Sequence, residues 1–333
     1  MKPLKDKKKL KIFLIAFVLS LPFWWGINSL AKNLEDFWFL QEITKNPEIL
    51  AAQLNQQILE AKIKDLRLEK LRTERLENLE IAAKAVISIE IDGQGRERIL
   101  FEKNSKEPLP IASLTKLMTA LVIFDLDETY NFSLLVPITE KAVEQENSSK
   151  YADFKIGEEL SVETLLYIML IESSNDAAFA LAELIGEKPF VELMSFYAKD
   201  LELKNTQFVN PTGLDPDDPQ EPQNLSTSRD LVKLSKYIFK NYPQIFEITT
   251  NKSYEVLNPD GSVHHFIPEN TNELLGEIPG IIGGKTGWSP TAGGCLLLIL
   301  KNPQKDSYFI NVILGAGDRF AEMRKLIEAI GNY

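Results

Sequence analysis

Three short clusters in this chain set a hydroxyl beside a nitrogen-bearing side chain, a lysine in two of them and an asparagine amide in the third. The first is Ser113-Leu114-Thr115-Lys116, which enters an apolar run after Pro108-Leu109-Pro110-Ile111-Ala112. An offset of three residues puts Ser113 and Lys116 on one helix face, within reach of each other. A serine hydroxyl is a poor nucleophile until a base takes its proton. Histidine is scarce here, because the chain has only His264 and His265, side by side. A lysine can serve as the base when its ammonium pKa is lowered. Burial, the positive end of a helix and a second cation nearby all act in that direction. The helix start also offers a free backbone N–H to a developing oxyanion. Taken alone, the tetrapeptide reads as a helix cap with a solvent-facing lysine, and Ser29-Leu30-Ala31-Lys32 has the same form.

The second cluster is Ser173-Ser174-Asn175, between an apolar helical run and Asp176-Ala177-Ala178. Residues of these types suit the N-cap of the following helix. The other reading is a helix-connecting loop that faces the first cluster. There Ser173 relays a proton to a leaving amine, and Asn175 holds a substrate amide and the lysine. The third cluster, Lys285-Thr286-Gly287, closes the stretch Ile281-Ile282-Gly283-Gly284 and precedes Trp288-Ser289-Pro290. It reads as a strand end before a turn, or as a grip for a carboxylate. In the second case a cation and a hydroxyl stand on an edge strand, and Gly287 lets an extended chain lie close to the backbone. Lys285 then also supplies the positive charge that keeps Lys116 neutral.

A scaffold must bring these distant segments together. Val86–Ile91 reads as a strand, Asp92-Gly93-Gln94-Gly95 as a turn and Arg98–Phe101 as the hairpin partner. Helical periodicity follows at Ser113–Phe124, Val162–Ile171, Asp176–Leu184, Lys188–Leu201 and Ser228–Asn241. Strand patterns return at Ser253–Leu257 and Val263–Phe266, around Pro259-Asp260-Gly261, and then at Ile281–Lys285, Gly294–Leu300 and Tyr308–Leu314. A last helix is predicted over Arg319–Ile330. Strands at both ends with helices between them predict an α/β (α+β) domain. Its antiparallel sheet joins the first strand to the last and carries helices on its faces.

The three clusters, in this order, resemble the D-alanyl-D-alanine carboxypeptidase family, the low-molecular-weight penicillin-binding proteins of peptidase family S11. The similarity extends through Pro110–Ala120, Ser174–Ala178, Phe208-Val209-Asn210-Pro211-Thr212-Gly213-Leu214-Asp215, Ser226–Leu231, Gly284–Trp288 and Ala292–Leu296. It covers roughly residues 83–333. The resemblance implies a penicillin-recognising fold of the serine β-lactamase and transpeptidase type. It implies an acyl-enzyme on Ser113 with Lys116 as base, and an oxyanion hole from the N–H groups of Ser113 and Trp288. Ser173 with Lys285 would deliver a proton to departing D-alanine, Asn175 would hold the substrate amide, and Thr286 would bind the terminal carboxylate. The implied partners are a peptidoglycan stem peptide ending in D-Ala-D-Ala and β-lactam inhibitors; no metal or organic cofactor is implied. Members of the family often add a β-rich second domain and a C-terminal amphipathic anchor, and little chain follows Gly287 for either. A class A β-lactamase shares the fold and motif order. Its deacylating glutamate stands about four residues before an asparagine, whereas Glu202 and Asn205 here are three apart. A non-catalytic wall-binding scaffold is the reading from another class.

The N-terminal quarter looks different. Lys2, Lys5, Lys7, Lys8, Lys9 and Lys11 stand against Asp6, and Ile12–Ala31 has no charged residue. About 20 apolar residues span a hydrocarbon core of roughly 30 Å. The lysines set the N-terminus in the cytoplasm and the rest of the chain outside a cell membrane, held by a single-pass anchor. A cleaved signal peptide ending at Ser29-Leu30-Ala31 is the alternative. Residues 32–82 lack Gly and Pro after Pro47, and Leu59, Ile63 and Leu66 form an apolar edge. This predicts a helical stalk, read as a spacer, with a coiled-coil homodimer as the alternative. The expected organisation is thus 1–31 anchor, 32–82 stalk and 83–333 catalytic domain. Net charge is −11 over 333 residues, and no basic, aromatic-laced stripe points to nucleic acid. Cys295 reads as a buried small hydrophobe, and the acidic run 216–222 as a solvated loop.

Overall fold

The computed structural model describes residues 47–145 and 150–331. The expected membrane segment, Ile12–Ala31, lies outside the described residues. Among the described residues no helix is long and apolar enough to cross a membrane.

The chain divides into two compact units, residues 1–71 and 72–333. Helix α1 (Pro47–Glu77) is 31 residues long, or about 46 Å at the usual rise. Within the first unit its Leu54, Ile58, Leu59, Ile63, Leu66, Leu68 and Leu71 side chains are all exposed.

In the second unit, strands β1 (Ala85–Asp92) and β2 (Glu97–Lys103) form the expected hairpin. Short strand β3 (Leu109–Pro110) leads into a 3₁₀ turn, Ala112–Thr115, and then helix α2 (Lys116–Asp125). Strand β4 (Leu135–Pro137), helix α3 (Glu140–Val143) and strand β5 (Glu159–Ser161) precede helices α4 (Val162–Ile171), α5 (Asn175–Glu183) and α6 (Glu187–Asp200). Strand β6 (Leu225–Ser226) pairs with β3 and is followed by helices α7 (Ser228–Asn241) and α8 (Gln244–Thr249). A second hairpin, β7 (Tyr254–Leu257) and β8 (Val263–Ile267), comes before the long strands β9 (Ile281–Ser289), β10 (Gly293–Lys301) and β11 (Ser307–Ala316) and helix α9 (Arg319–Ile330).

The main sheet has the order β2-β1-β11-β10-β9 and is antiparallel throughout. The first and last long strands meet, with Ile89 opposite Ile310. Alternation along the strands feeds two cores. Ile87, Ile89, Ile91, Leu297, Ile299, Ile310 and Val312 face the large helical layer, whereas Val86, Leu296, Leu298, Phe309 and Ile313 pack with α9 residues such as Met323 and Leu326. Ser88 and Asn311 lie opposite each other in the sheet, and their buried side chains bond at 2.7 Å.

Helix α2 is buried on every side from Lys116 to Ile123. A helix apolar all round belongs in the middle of a domain, and this one takes the lysine at its first position with it. Helices α4, α7 and α9 have the bounds that the periodicity predicted. Each is capped by a side chain, Ser161, Thr227 and Asp318 accepting backbone N–H groups. The Lys285 region differs from expectation. Strand β9 runs on through Thr286, Gly287 and Trp288 to Ser289, with Gly287 opposite Cys295 and Trp288 opposite Gly294.

Candidate active site

Ser113 lies in the 3₁₀ turn that joins β3 to α2, and its neighbour Ala112 is held at φ 46°. Left-handed backbone at a non-glycine residue persists only where the surroundings enforce it. Here the enforcing groups come from β9 and from the loop before β6. A Cβ at Gly287 would lie 3.0 Å from the Ile111 carbonyl and 3.1 Å from the Ser113 nitrogen. The requirement for glycine in Lys-Thr-Gly therefore includes the approach of this strand to the turn that carries Ser113.

Lys116 is fully buried, and its Nζ has three oxygen neighbours: Ser113 Oγ at 2.8 Å, Asn175 Oδ1 at 2.6 Å and the Thr212 carbonyl at 2.7 Å. Burial and the charge of Lys285 drive the Lys116 ammonium well below its ordinary value, against an opposing pull from Asp176. A neutral amine has two N–H bonds and one lone pair. The amide oxygen and the carbonyl can only accept, so they take the two N–H groups. In that neutral state the lone pair is left to face Ser113 Oγ, whose hydroxyl can then donate to it. This is the arrangement of a base poised on a nucleophile.

On the facing wall, Lys285 is 2% exposed and donates to Ser173 Oγ at 2.8 Å and to the Thr286 carbonyl at 3.1 Å. Burial, then the Arg319 guanidinium, push its ammonium down to about 7. Ser173 has φ 69°, a second strained residue at the site. The Ser-Ser-Asn cluster divides its work. Ser174 Oγ caps α5 by accepting the Ala177 N–H at 3.0 Å, while Ser173 reaches Lys285 and Asn175 reaches Lys116. The cluster thus caps α5 and also contacts the two lysines, through different side chains. Thr286 is buried, and its hydroxyl donates to Thr271 Oγ1 at 2.7 Å. Trp288, the next residue but one, is 61% exposed.

Two participants carry no type signal in the sequence. The Thr212 carbonyl is positioned by the loop Asn210–Leu214. Asn210 Oδ1 accepts the N–H groups of Thr212 (3.2 Å) and Gly213 (2.7 Å), Asn210 Nδ2 donates to Leu214 O, and Thr119 Oγ1 donates to Pro211 O at 2.7 Å. Gly213 has φ 87°, and a Cβ there would stand 2.0 Å from the Ala112 carbonyl oxygen. Gly213→Ala combines a strained φ with a backbone clash. It is expected to cost roughly 2–4 kcal/mol of stability, read as a lower urea midpoint with an unchanged slope. Thr271 is the other residue without a signal.

The remaining singled-out residues lie elsewhere. Cys295 is buried in β10 with its thiol pushed up to about 11 by burial, which makes it inert. His264 and His265 bond each other on β8, and His264 Nε2 lies 3.2 Å from Glu158. Glu202 is exposed after α6, and its carbonyl accepts from Lys233. Among the described residues no group of His, Cys, Asp and Glu is arranged to hold a metal ion.

The chain is similar in sequence and fold to several known proteins. The chain is 34% identical over 264 residues to the D-alanyl-D-alanine carboxypeptidase DacF of Bacillus subtilis, covering 76% of this chain and 63% of DacF. It thus spans less than two thirds of that relative's length. A D-alanyl-D-alanine endopeptidase of Escherichia coli is 32% identical, with 66% of this chain and 67% of that protein covered. Among solved structures, penicillin-binding protein D2 of Listeria monocytogenes in its ampicillin-bound form superposes with a TM-score of 0.65 at 31% identity, over 75% of this chain and 98% of that one. A point mutant of the Streptomyces K15 DD-transpeptidase gives 0.66 at 28% identity, over 76% and 98%. The family model described as D-alanyl-D-alanine carboxypeptidase matches residues 72–318, most of the chain, and the chain belongs to that family, peptidase S11.

Proposed function

We propose that this protein is a serine-type D-alanyl-D-alanine carboxypeptidase that trims peptidoglycan stem peptides and is acylated by penicillin. The observation that carries this reading is the fully buried Nζ of Lys116, 2.8 Å from Ser113 Oγ and held by two further oxygens, Asn175 Oδ1 and the Thr212 carbonyl. Lys116 takes the hydroxyl proton as Oγ attacks the carbonyl of the penultimate D-alanine. The N–H groups of Ser113 and Trp288 stabilise the oxyanion. As the C–N bond breaks, Ser173 protonates the departing amine of D-alanine and recovers its proton through Lys285 from the Lys116 ammonium, which returns to the neutral amine. Thr286 and Lys285 hold the terminal carboxylate. Water then attacks the acyl-enzyme with Lys116 again as base, releasing the shortened peptide and restoring Ser113.

The β-lactam complexes of the Listeria relative support acylation of Ser113 by the same class of inhibitor. The exposed position of Glu202 speaks against rapid hydrolysis of that adduct by a β-lactamase route. The uncharged stretch Ile12–Ala31 behind a lysine cluster supports a retained membrane anchor, with the catalytic unit outside the cytoplasm. Helix α1 serves as a spacer in this scheme, and pairing of two copies through Leu59, Ile63 and Leu66 is the alternative that sedimentation of the full chain decides.

Incubation of the protein with a stem peptide ending in D-Ala-D-Ala, with and without an acceptor amine, tests the activity. Mass analysis is expected to show free D-alanine and the peptide shortened by one residue. If neither appears and penicillin leaves the mass of the protein unchanged, the proposal is wrong.

A further inference from the structure

The chain's two histidines stand side by side on β8, with a carboxylate at each end of the pair. His264 Nε2 lies 3.2 Å from Glu158 Oε2, in the turn before β5. The two Nδ1 atoms lie 2.6 Å apart. His265 Nε2 lies 4.0 Å from Glu172 Oε2, beyond hydrogen-bond distance, and among the described residues it has no hydrogen-bond partner. Glu172 is the residue before Ser173, and its side chain is 1% exposed. Its other oxygen, Oε1, accepts the Tyr151 N–H at 2.6 Å. The other elements packed on the pair present Phe154, whose ring centroid is 6.3 Å from that of His264, and Val256 of β7, opposite His265. Their charged neighbours Asp153, Lys155 and Glu255 are exposed, and Lys150 and Glu269 pair with each other.

These contacts dictate where protons can sit. An ionised carboxylate only accepts, so His264 Nε2 carries a hydrogen. Two Nδ1 atoms at hydrogen-bond distance share a single hydrogen. A neutral pair has no other N–H, which leaves a lone pair on His265 Nε2 facing the Glu172 carboxylate. One added proton on that nitrogen makes it a donor and completes a chain of hydrogen bonds from Glu158 to Glu172. A further proton can enter only between the rings, where it breaks their bond. Burial, then the charge of His264, push the His265 imidazolium down to about 4, so the rings do not both carry charge until well into acid.

We propose that His264 and His265 are positioning residues, which take up one proton as a bridge between Glu158 and Glu172 and so hold the turn that carries Ser173. This inference rests on the carboxypeptidase reading above and deepens it, since Ser173 there protonates the leaving amine. In the bridged state both oxygens of Glu172 are held, one by Tyr151 and one by His265. Ser173, at φ 69°, then follows a fixed neighbour, as a strained residue requires. Loss of the proton sets two acceptors face to face, and the turn slackens. Protonation of the leaving amine therefore slows as pH rises through the titration of the pair.

Because the chain has no other histidine, imidazole-nitrogen NMR of the full-length protein reads this pair alone. One joint titration of the two rings is expected, with a single N–H shared between their Nδ1 atoms. Glu158→Gln and Glu172→Gln each remove one anion and are expected to lower its midpoint by about one pH unit or more. For a stem peptide ending in D-Ala-D-Ala, kcat/KM is expected to fall about 3- to 10-fold across the wild-type midpoint. In Glu158→Gln, which leaves Ser173 and its neighbour unaltered, that step must move with the NMR midpoint. In His265→Asn it must vanish, while the alkaline limb set by Lys285 stays in both. Two rings that titrate independently overturn the shared proton. A step that keeps its place in either variant overturns the link to Ser173, and should one variant fail to fold, the other decides. The rate of acylation by penicillin, read by intact mass, gives the same profile independently of peptide cleavage. A protein that penicillin acylates but that cleaves no peptide loses the carboxypeptidase reading, while the acylation profile still decides the role of the pair. A protein that reacts with neither loses both.

Discussion

Ser113→Ala is expected to abolish attachment of labelled penicillin and to reduce D-alanine release by at least about 10⁴-fold. The size of the effect follows from the chemistry. Among the described residues no other hydroxyl is hydrogen-bonded to the Lys116 amine, whose remaining partners are an amide oxygen and a backbone carbonyl. Without Ser113 Oγ no acyl-enzyme forms, and what remains is the contribution of the oxyanion donors and of substrate binding to direct attack by water. The loss is not a folding defect. Ser113 is part-exposed at the cleft, and its side chain contributes little to the core formed by Ile111, Leu114, Leu117 and Met118. Intact mass after incubation with penicillin is the decisive measurement. A Ser113→Ala protein that gains the mass of the antibiotic at the wild-type rate moves the nucleophile elsewhere and takes the mechanism with it.

The parts of this fold that were legible in the sequence are those in which local and tertiary preferences agree. Val162–Ile171 and Ser228–Asn241 carry a continuous apolar stripe, and both helices have the bounds this periodicity predicts, with Ser161 and Thr227 capping them in the structure. The reach of β9 past Lys285 was not legible, because Gly287 is a poor strand former and Trp288-Ser289-Pro290 reads as a turn. What extends the strand is its ladder with β10, Gly284 opposite Leu298 and Gly287 opposite Cys295, a partner outside any local window. Ser113 and Lys116 were readable as a pair from their spacing. The turn that carries Ser113 is 3₁₀ rather than α, with Ala112 at positive φ and the distant residues Gly213 and Gly287 packed close against its backbone. The carbonyl of Thr212 and the hydroxyl of Thr271 were invisible for different reasons. A backbone oxygen belongs to every residue, and a lone threonine between two asparagines reads as loop until the loop is folded.

Lys116→Arg is expected to lower acylation by about 10²- to 10⁴-fold, although arginine keeps the charge and the capacity to donate. The guanidinium cannot lose its proton in a protein, so no lone pair is left for Ser113 Oγ. Lys116→Met, which removes the charge as well, is expected to fall to a similar level. That equality would show that the neutral amine does the chemistry rather than the cation. The pH dependence carries the same argument in a form that separates the two lysines. In the wild type the acid limb of the acylation rate reports protonation of Lys116, whose pKa is held far below normal by burial and by the charge of Lys285. The alkaline limb reports loss of the Lys285 proton, with a pKa pushed down to about 7. Lys285→Met removes the neighbouring positive charge, so the ammonium of Lys116 becomes easier to keep and its pKa rises. The acid limb must then move to higher pH while the alkaline limb disappears. Stability changes with the same sign in both lysines. Their folded pKa values lie below the unfolded value of about 10.4, so each contributes stability that is present above that value and lost as pH falls through the folded one. Acylation of wild type and Lys285→Met across pH, followed by intact mass, checks the shift. An acid limb that stays in place when Lys285 is removed would show that burial alone keeps Lys116 neutral, and that the distant cation only grips the carboxylate.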